Sequence, residues 1–250
     1  MKRKPVERGD SATLASQVYE RIKRDIVTHR LRPGERVSES ALAASHKTSK
    51  APVRVALARL QQEHLIVQAA PKTQIVAPLT LKGVRDIFDL RNLLEPEAVR
   101  LATGRVSLTR LRELNEACAK PIRAGNADDE FRLLAANRAF HLELASASGN
   151  DLLADWIGRL HDLAIRIMWL ALRSETTSEA WSEGHDELIV AIEKSDAEAA
   201  KSILLRLLRD GQRQVYERLM NLPGLSELNL QSPVWNSKKI EKYDIDLLKI

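Results

Sequence analysis

The sequence predicts a mainly α protein in two parts: an N-terminal winged helix-turn-helix with a small β wing, and a C-terminal all-α helical bundle. Three observations predict it. Residues 33–60, PGERVSESALAASHKTSKAPVRVALARL, place in order a turn, a short helix, a second turn and a helix that opens with basic residues. From about residue 81, apolar residues recur at helical spacing between turn signals, with little strand alternation. Aromatic residues make up only 4% of the chain, while Leu, Ala, Arg and Glu abound, a balance that favours helices over sheets.

The elements follow in chain order. Leu14, Val18, Ile22 and Ile26 repeat every four residues, so a longer amphipathic helix over Gln17 to Thr28 leads into the RLRPGE turn. Ser38 opens a short helix to Ala44 that buries Leu42. Ser49 is a suitable N-cap for the next helix, and Pro52 falls within its first turn, where a missing N–H is harmless. Val53, Ala56, Leu57 and Leu60 face the core. Lys50 and Arg54 fall beside that stripe, with Ala51, Val55 and Ala58, near the N-terminal end. A recognition helix sets those positions against base edges and phosphates. Two β-branched runs, Leu65 to Val67 and Gln74 to Ala77, flank a turn with Pro71 and Lys72 and form the wing.

The second part begins near Thr80 with LKGVRDIFDLRNLLEPEAVRLAT. Val84, Ile87, Leu90, Leu94 and Val99 make its buried side, Arg91 and Glu95 pair at i,i+4 on another face, and Pro96 marks a kink or shift. Further helices are expected at 107–124, 128–147, 150–173, 178–194 and 196–219, separated by signals such as Gly125-Asn126, Ser148-Gly149-Asn150 and Ser195-Asp196. That makes a six-helix bundle.

Composition narrows the function. The chain has 250 residues and 44% hydrophobic content, ample for a core. Its single Cys118 excludes an intrachain disulfide and fits a reducing compartment. With no apolar leader in the first thirty residues and no run near the roughly 20 apolar residues of a membrane span, a soluble cytoplasmic protein is expected. Residues 1–80 hold 15 Lys and Arg against 7 Asp and Glu, a net of +8, whereas the whole chain is +5. The basic excess thus coincides with the helix-turn-helix and points to nucleic acid. No nucleophile elbow, Walker loop, HExxH or paired-cysteine site appears, so no enzyme is expected.

PGERVSESALA followed by SKAPVRVALARLQQEHLI resembles the N-terminal domain of GntR-type bacterial transcription regulators over about residues 14–78. The resemblance implies DNA contacts from Ser40, Lys47, Ser49, Lys50 and Arg54, with Lys72 on the wing. Lys47, Thr48 and Lys50 stand where the family usually has Gly, Val and Arg; Ser40 stands where an Arg is common; His64 and Thr73 replace usual glycines. Arg grips guanine with a two-pronged fork that Lys and Ser lack, so a different operator preference is expected.

RNLLE, FHLELASASGNDLL and GHDELIVAIEKSDAEAAKSILLRLL resemble the FCD effector domain of the FadR-like branch, in its six-helix, VanR-like version. This resemblance implies a homodimer, a palindromic operator on double-stranded DNA, and a small carboxylate effector inside the bundle, frequently beside a divalent metal. The family's metal ligands, an Asp and three His, fall on Asn137, His141, His185 and Leu207. With the carboxylate and the last imidazole gone, no tightly held metal is expected from this set; His141 and His185 remain the candidate ligands, and His161 on a neighbouring helix has no fixed direction. The expected effector contacts are Arg91, Asn137, His141 and His185, with Arg91 either gripping the carboxylate or held in a structural pair with Glu95. Trp156, Trp169 and Trp181 are candidates for stacking on an aromatic acid or for plain packing.

The expected organisation is a basic arm at 1–13, the winged helix-turn-helix at 14–78, the effector and dimerisation domain at 81–220, and an extension at 221–250. In that extension Ile240, Tyr243, Ile245 and Leu247 form a strand or short helix on a partner subunit, or a loose tail. The expected function is repression of a catabolic operon, relieved by a small organic acid. The alternatives are an enzyme using His141, His185 and Arg91, and an architectural DNA-binding protein without an effector.

Overall fold

The computed structural model describes residues 8–123, 126–172 and 179–220, with side chains from 14 onward in the first stretch and from 184 onward in the last. Residues 1–7, the Gly125 turn, the side chain of Trp181 and the extension at 221–250 lie outside the described residues.

Helix α1 (Arg8–Val27) starts earlier than its sequence pattern suggests and buries Val18, Tyr19, Ile22 and Ile26, whereas Leu14 is exposed. The reason is geometric. A strict four-residue repeat advances about 40° around the helix at each step, so the first apolar residue has walked off the core face. The unit continues with β1 (Arg36–Val37), α2 (Glu39–Ser45), α3 (Lys50–Gln62), β2 (Ile66–Ala70) and β3 (Thr73–Val76). The Ser38 hydroxyl accepts the Ala41 N–H and caps α2; Ser49 has the extended backbone of an N-cap, but its hydroxyl makes no capping bond.

Val53, Ala56, Leu57 and Leu60 are buried as expected, against α1 and Leu42. Truncating a leucine such as Leu57 to Ala would cost about 2–5 kcal/mol. The wing has three antiparallel strands in the order β1-β3-β2, with a bulge between Gln68 and Ala70. The two-residue β1, pairing Arg36 with Ile75 and Val37 with Gln74, is too short for any alternation to announce it. Lys47, His64 and Lys72 adopt left-handed backbone at φ +51°, +59° and +63°. Two of these, Lys47 and His64, are positions where the resembled family has glycine, which takes that conformation without steric cost.

Six helices follow among the described residues: α4 (Leu81–Ala102), α5 (Leu108–Ala119), α6 (Ala127–Ala147), α7 (Asp151–Leu172), α8 (Glu179–Glu193) and α9 (Ala197–Met220). Thr80 caps α4 by accepting the Gly83 N–H, and α4 runs on through Pro96 rather than ending there. Its buried face differs from the expected one. Val84 and Val99 are inside, but Leu90 is exposed, and Arg91 and Glu95 are buried at 2% exposure each. Trp169 packs in the core, whereas Trp156 lies on the surface with the Arg159 guanidinium 5.7 Å from its ring.

Helix α7 joins the two halves. Its Leu163 packs against the helix-turn-helix core. Asp162 reaches Lys23 of α1 at 2.9 Å and Arg138 of α6 at 2.8 Å. Arg166, fully buried, donates to the Ala77 carbonyl at 2.6 Å, and its own carbonyl lies 3.0 Å from His29 Nε2. Burial lowers the Arg166 pKa to about 10, which leaves it charged at neutral pH.

Candidate functional site

The first site is the outer face of α2, α3 and the wing. Ser40, Lys47, Ser49, Lys50, Arg54 and Lys72 are all exposed there. They share that face because α3 spends its other side, Val53 to Leu60, on the core. Val55, next to Arg54, is 59% exposed, an apolar group placed to meet a thymine methyl in a major groove. Arg54 is not free. Its Nε and Nη2 donate to Glu39 Oε1 and Oε2, both at 2.8 Å, across the α2–α3 turn. That fork has the same geometry as an arginine gripping a guanine edge, so Glu39 competes with a base for it. The competition went unseen in the sequence because fifteen residues separate the pair.

The second site is a cavity of about 230 Å³ inside the bundle, at the small end for ligand pockets and suited to a compact molecule. Arg91, Asn137, His141 and His185 line it together, from α4, α6 and α8, and Leu207 closes one side from α9. Asn137 and His141 sit one turn apart on α6 and are buried. The Arg91 side chain takes one of its two expected roles, the structural pair with Glu95, and also reaches the cavity. Its Nε donates to Glu95 Oε1 at 2.6 Å, and its guanidinium still borders the cavity.

Protonation in the cavity can be read from its partners. Burial pushes the Glu95 pKa up, but Arg91, then His161 and His141, outweigh that and hold the carboxyl well below the usual range. Burial lowers His161 to about 3, and burial with His141 alongside holds His185 well below its ordinary value. The Asp186 carboxylate only accepts, so at 2.7 Å it fixes the Asn115 amide nitrogen toward itself and leaves Asn115 Oδ1 facing His185 Nδ1 at 3.1 Å. His185 Nδ1 therefore carries the proton, and Nε2 keeps its lone pair. The ring stacks on Phe140 with centroids 3.9 Å apart.

A metal at the four positions implied by the resemblance does not fit. His141 and His185 offer two imidazoles and Asn137 a neutral amide, but Leu207 offers none. Its side chain presses on Gly184, where an added Cβ would lie 2.6 Å from Leu207 Cδ2. His161, with no direction in the sequence, points at Glu95 and Arg91, outside the cavity wall.

Comparisons with known proteins identify the two halves of the chain. Residues 14–72 match the bacterial regulatory proteins of the gntR family, and residues 86–210 match the FCD domain. The chain is 30% identical over 192 residues to the uncharacterized HTH-type transcriptional regulator YdhC of Bacillus subtilis (strain 168), spanning 76% of this chain and 85% of that protein. It is 28% identical over 199 residues to the HTH-type transcriptional repressor GlaR of Escherichia coli (strain K12), spanning 74% and 88%. The solved structure of E. coli McbR/YncC has the same fold, with a TM-score of 0.68 at 23% identity over 82% of this chain and 98% of that one. No helix among the described residues is long and apolar enough to cross a membrane.

Proposed function

The chain belongs to the gntR family of bacterial regulatory proteins and carries an FCD domain, which makes it a transcriptional regulator rather than an enzyme; on that premise we propose that it represses a catabolic operon and is released by a small organic acid. Two copies, joined through their helical domains, present α3 to a palindromic operator. Lys50 and Arg54 enter the major groove, Lys47, Ser49 and Ser40 meet phosphates, and Lys72 on the wing approaches the backbone. The name of GlaR, a repressor, supports the direction of control.

The observation that carries this reading is that α7 touches both the cavity and the helix-turn-helix unit. Met168 and Leu172 line the cavity, while Asp162, Leu163 and Arg166 hold the helix-turn-helix unit. An acid accepting hydrogen bonds from Asn137 and the Arg91 guanidinium biases the position of α7. That bias changes the separation of the two recognition helices and so the operator affinity.

Fluorescence anisotropy with a labelled operator tests it. Arg54→Ala should lose operator binding with the fold intact. Gly211 lines the cavity, and a Cβ there meets nothing within 4 Å, so Gly211→Leu should fill the cavity without touching the buried ion pair. That variant should bind operator normally and ignore every acid that releases the unmodified protein. If it still responds, the effector binds elsewhere.

A further inference from the structure

Behind the cavity wall, Glu95 of α4, His141 of α6 and His161 of α7 each bring a donor atom to within 4.8 Å of the other two, and all three are buried. The hydrogen bonds available there serve them badly. His161 Nε2 is 3.2 Å from Glu95 Oε1 and 3.4 Å from Arg91 Nη2. A guanidinium only donates and an ionised carboxylate only accepts, so a single ring nitrogen cannot suit both. With a proton it turns N–H toward N–H; without one it turns a lone pair toward the carboxylate. His141 Nδ1 lies 2.6 Å from Glu95 Oε2, so both imidazoles and the Arg91 guanidinium crowd onto one carboxylate. Two buried imidazoles and a carboxylate converging from three helices are the donor types that hold a transition metal.

We propose that Glu95, His141 and His161 form a binding site for a divalent transition-metal ion of borderline softness, such as zinc or cobalt, which shares only His141 with the four positions implied by the family resemblance. One carboxylate and two imidazoles from three different helices are a sufficient protein donor set for such an ion, with a coordination position left open. The ion takes a lone pair from each residue and ends the conflict at His161 Nε2. It also weakens the hold of Glu95 on Arg91, because the charge the carboxylate gives to the ion is no longer fully available to the guanidinium. Arg91 already borders the cavity and can turn into it. The loosened guanidinium then turns toward an anion in the cavity, so the ion and a cavity-bound carboxylate favour each other's binding.

The test is Co²⁺ binding to the full chain after chelator treatment, read by calorimetry and visible absorption, with no DNA or organic acid present. It is therefore separate from the reading of the cavity as an acid site, which can stand or fall without it. The expected result is one Co²⁺ per chain, with affinity weakened by more than about 100-fold by His161→Gln and by Glu95→Gln, beyond the roughly 10–100-fold cost of losing an outer-shell partner, and unaltered by His185→Gln. A chain that takes up no Co²⁺, or loses it with His185→Gln and keeps it with His161→Gln, or keeps it in all three variants, overturns the proposal. Should a variant fail to fold, anomalous scattering from Co²⁺-soaked crystals of the unaltered chain decides the matter. A cobalt peak bonded to Glu95 and His161 supports the site, and a peak between His141 and His185 alone overturns it.

Discussion

Replacing Asp162 with Asn should loosen the tie between the bundle and the helix-turn-helix unit. Lys23 Nζ lies 2.9 Å from Asp162 Oδ2, with the side chains only 16% and 12% exposed, so solvent screens the pair little. A hydrogen bond to a charged group contributes about 1.5–3 kcal/mol; Asn keeps an acceptor, so a coupling of about 1.5 kcal/mol is expected. Single variants overstate it. Lys23 also bonds Tyr19 at 2.8 Å and Glu63 at 3.1 Å, and Asp162 also holds Arg138. The assay is a double-mutant cycle of Lys23→Met and Asp162→Asn by urea unfolding, followed by circular dichroism. Coupling below about 0.5 kcal/mol, the scatter expected of independent sites, would refute the claim that α7 holds α1 through this contact. The pH dependence has a definite sign. Burial alone would lower the Lys23 pKa, but Asp162 and Tyr19 outweigh it and raise it. The contribution is therefore complete below the ordinary lysine value and is lost as pH climbs through the raised folded-state value.

Other outcomes follow from single contacts. Glu39→Gln should free the Arg54 fork, tighten operator binding and steepen its salt dependence by about one phosphate contact, seen in anisotropy titrations over a salt series. His64→Gly should relieve left-handed strain before β2 and, after the entropy lost by glycine, stabilise the chain by about 0.5 kcal/mol in urea. Arg91→Ala, an obvious probe of the cavity from sequence alone, should destabilise the bundle by about 3–5 kcal/mol because it strands the Glu95 carboxylate; Arg91→Met with Glu95→Met should recover most of that loss in a thermal melt.

What was legible in the sequence rests on local physics. The Ser38 cap, Pro52 in a first turn and the Val53 to Leu60 stripe identify α2 and α3, because capping and helical periodicity are properties of a few neighbouring residues. The order of helices in the bundle followed from the same signals. The family resemblance brought Arg91, Asn137, His141 and His185 to one site, and all four do line one cavity. Periodicity failed on α4, since ranking a helix face by hydropathy turns a charged pair outward, and Arg91 with Glu95 points inward. Only the tertiary structure decided what converges across elements: Glu39 on Arg54, His161 on Glu95 and Arg91, Asp162 on Lys23, and Leu207 on the cavity wall beside Gly184. Those meetings depend on the rotation and register of whole helices. These are set by how many side chains pack at once, and no short window of sequence contains that sum.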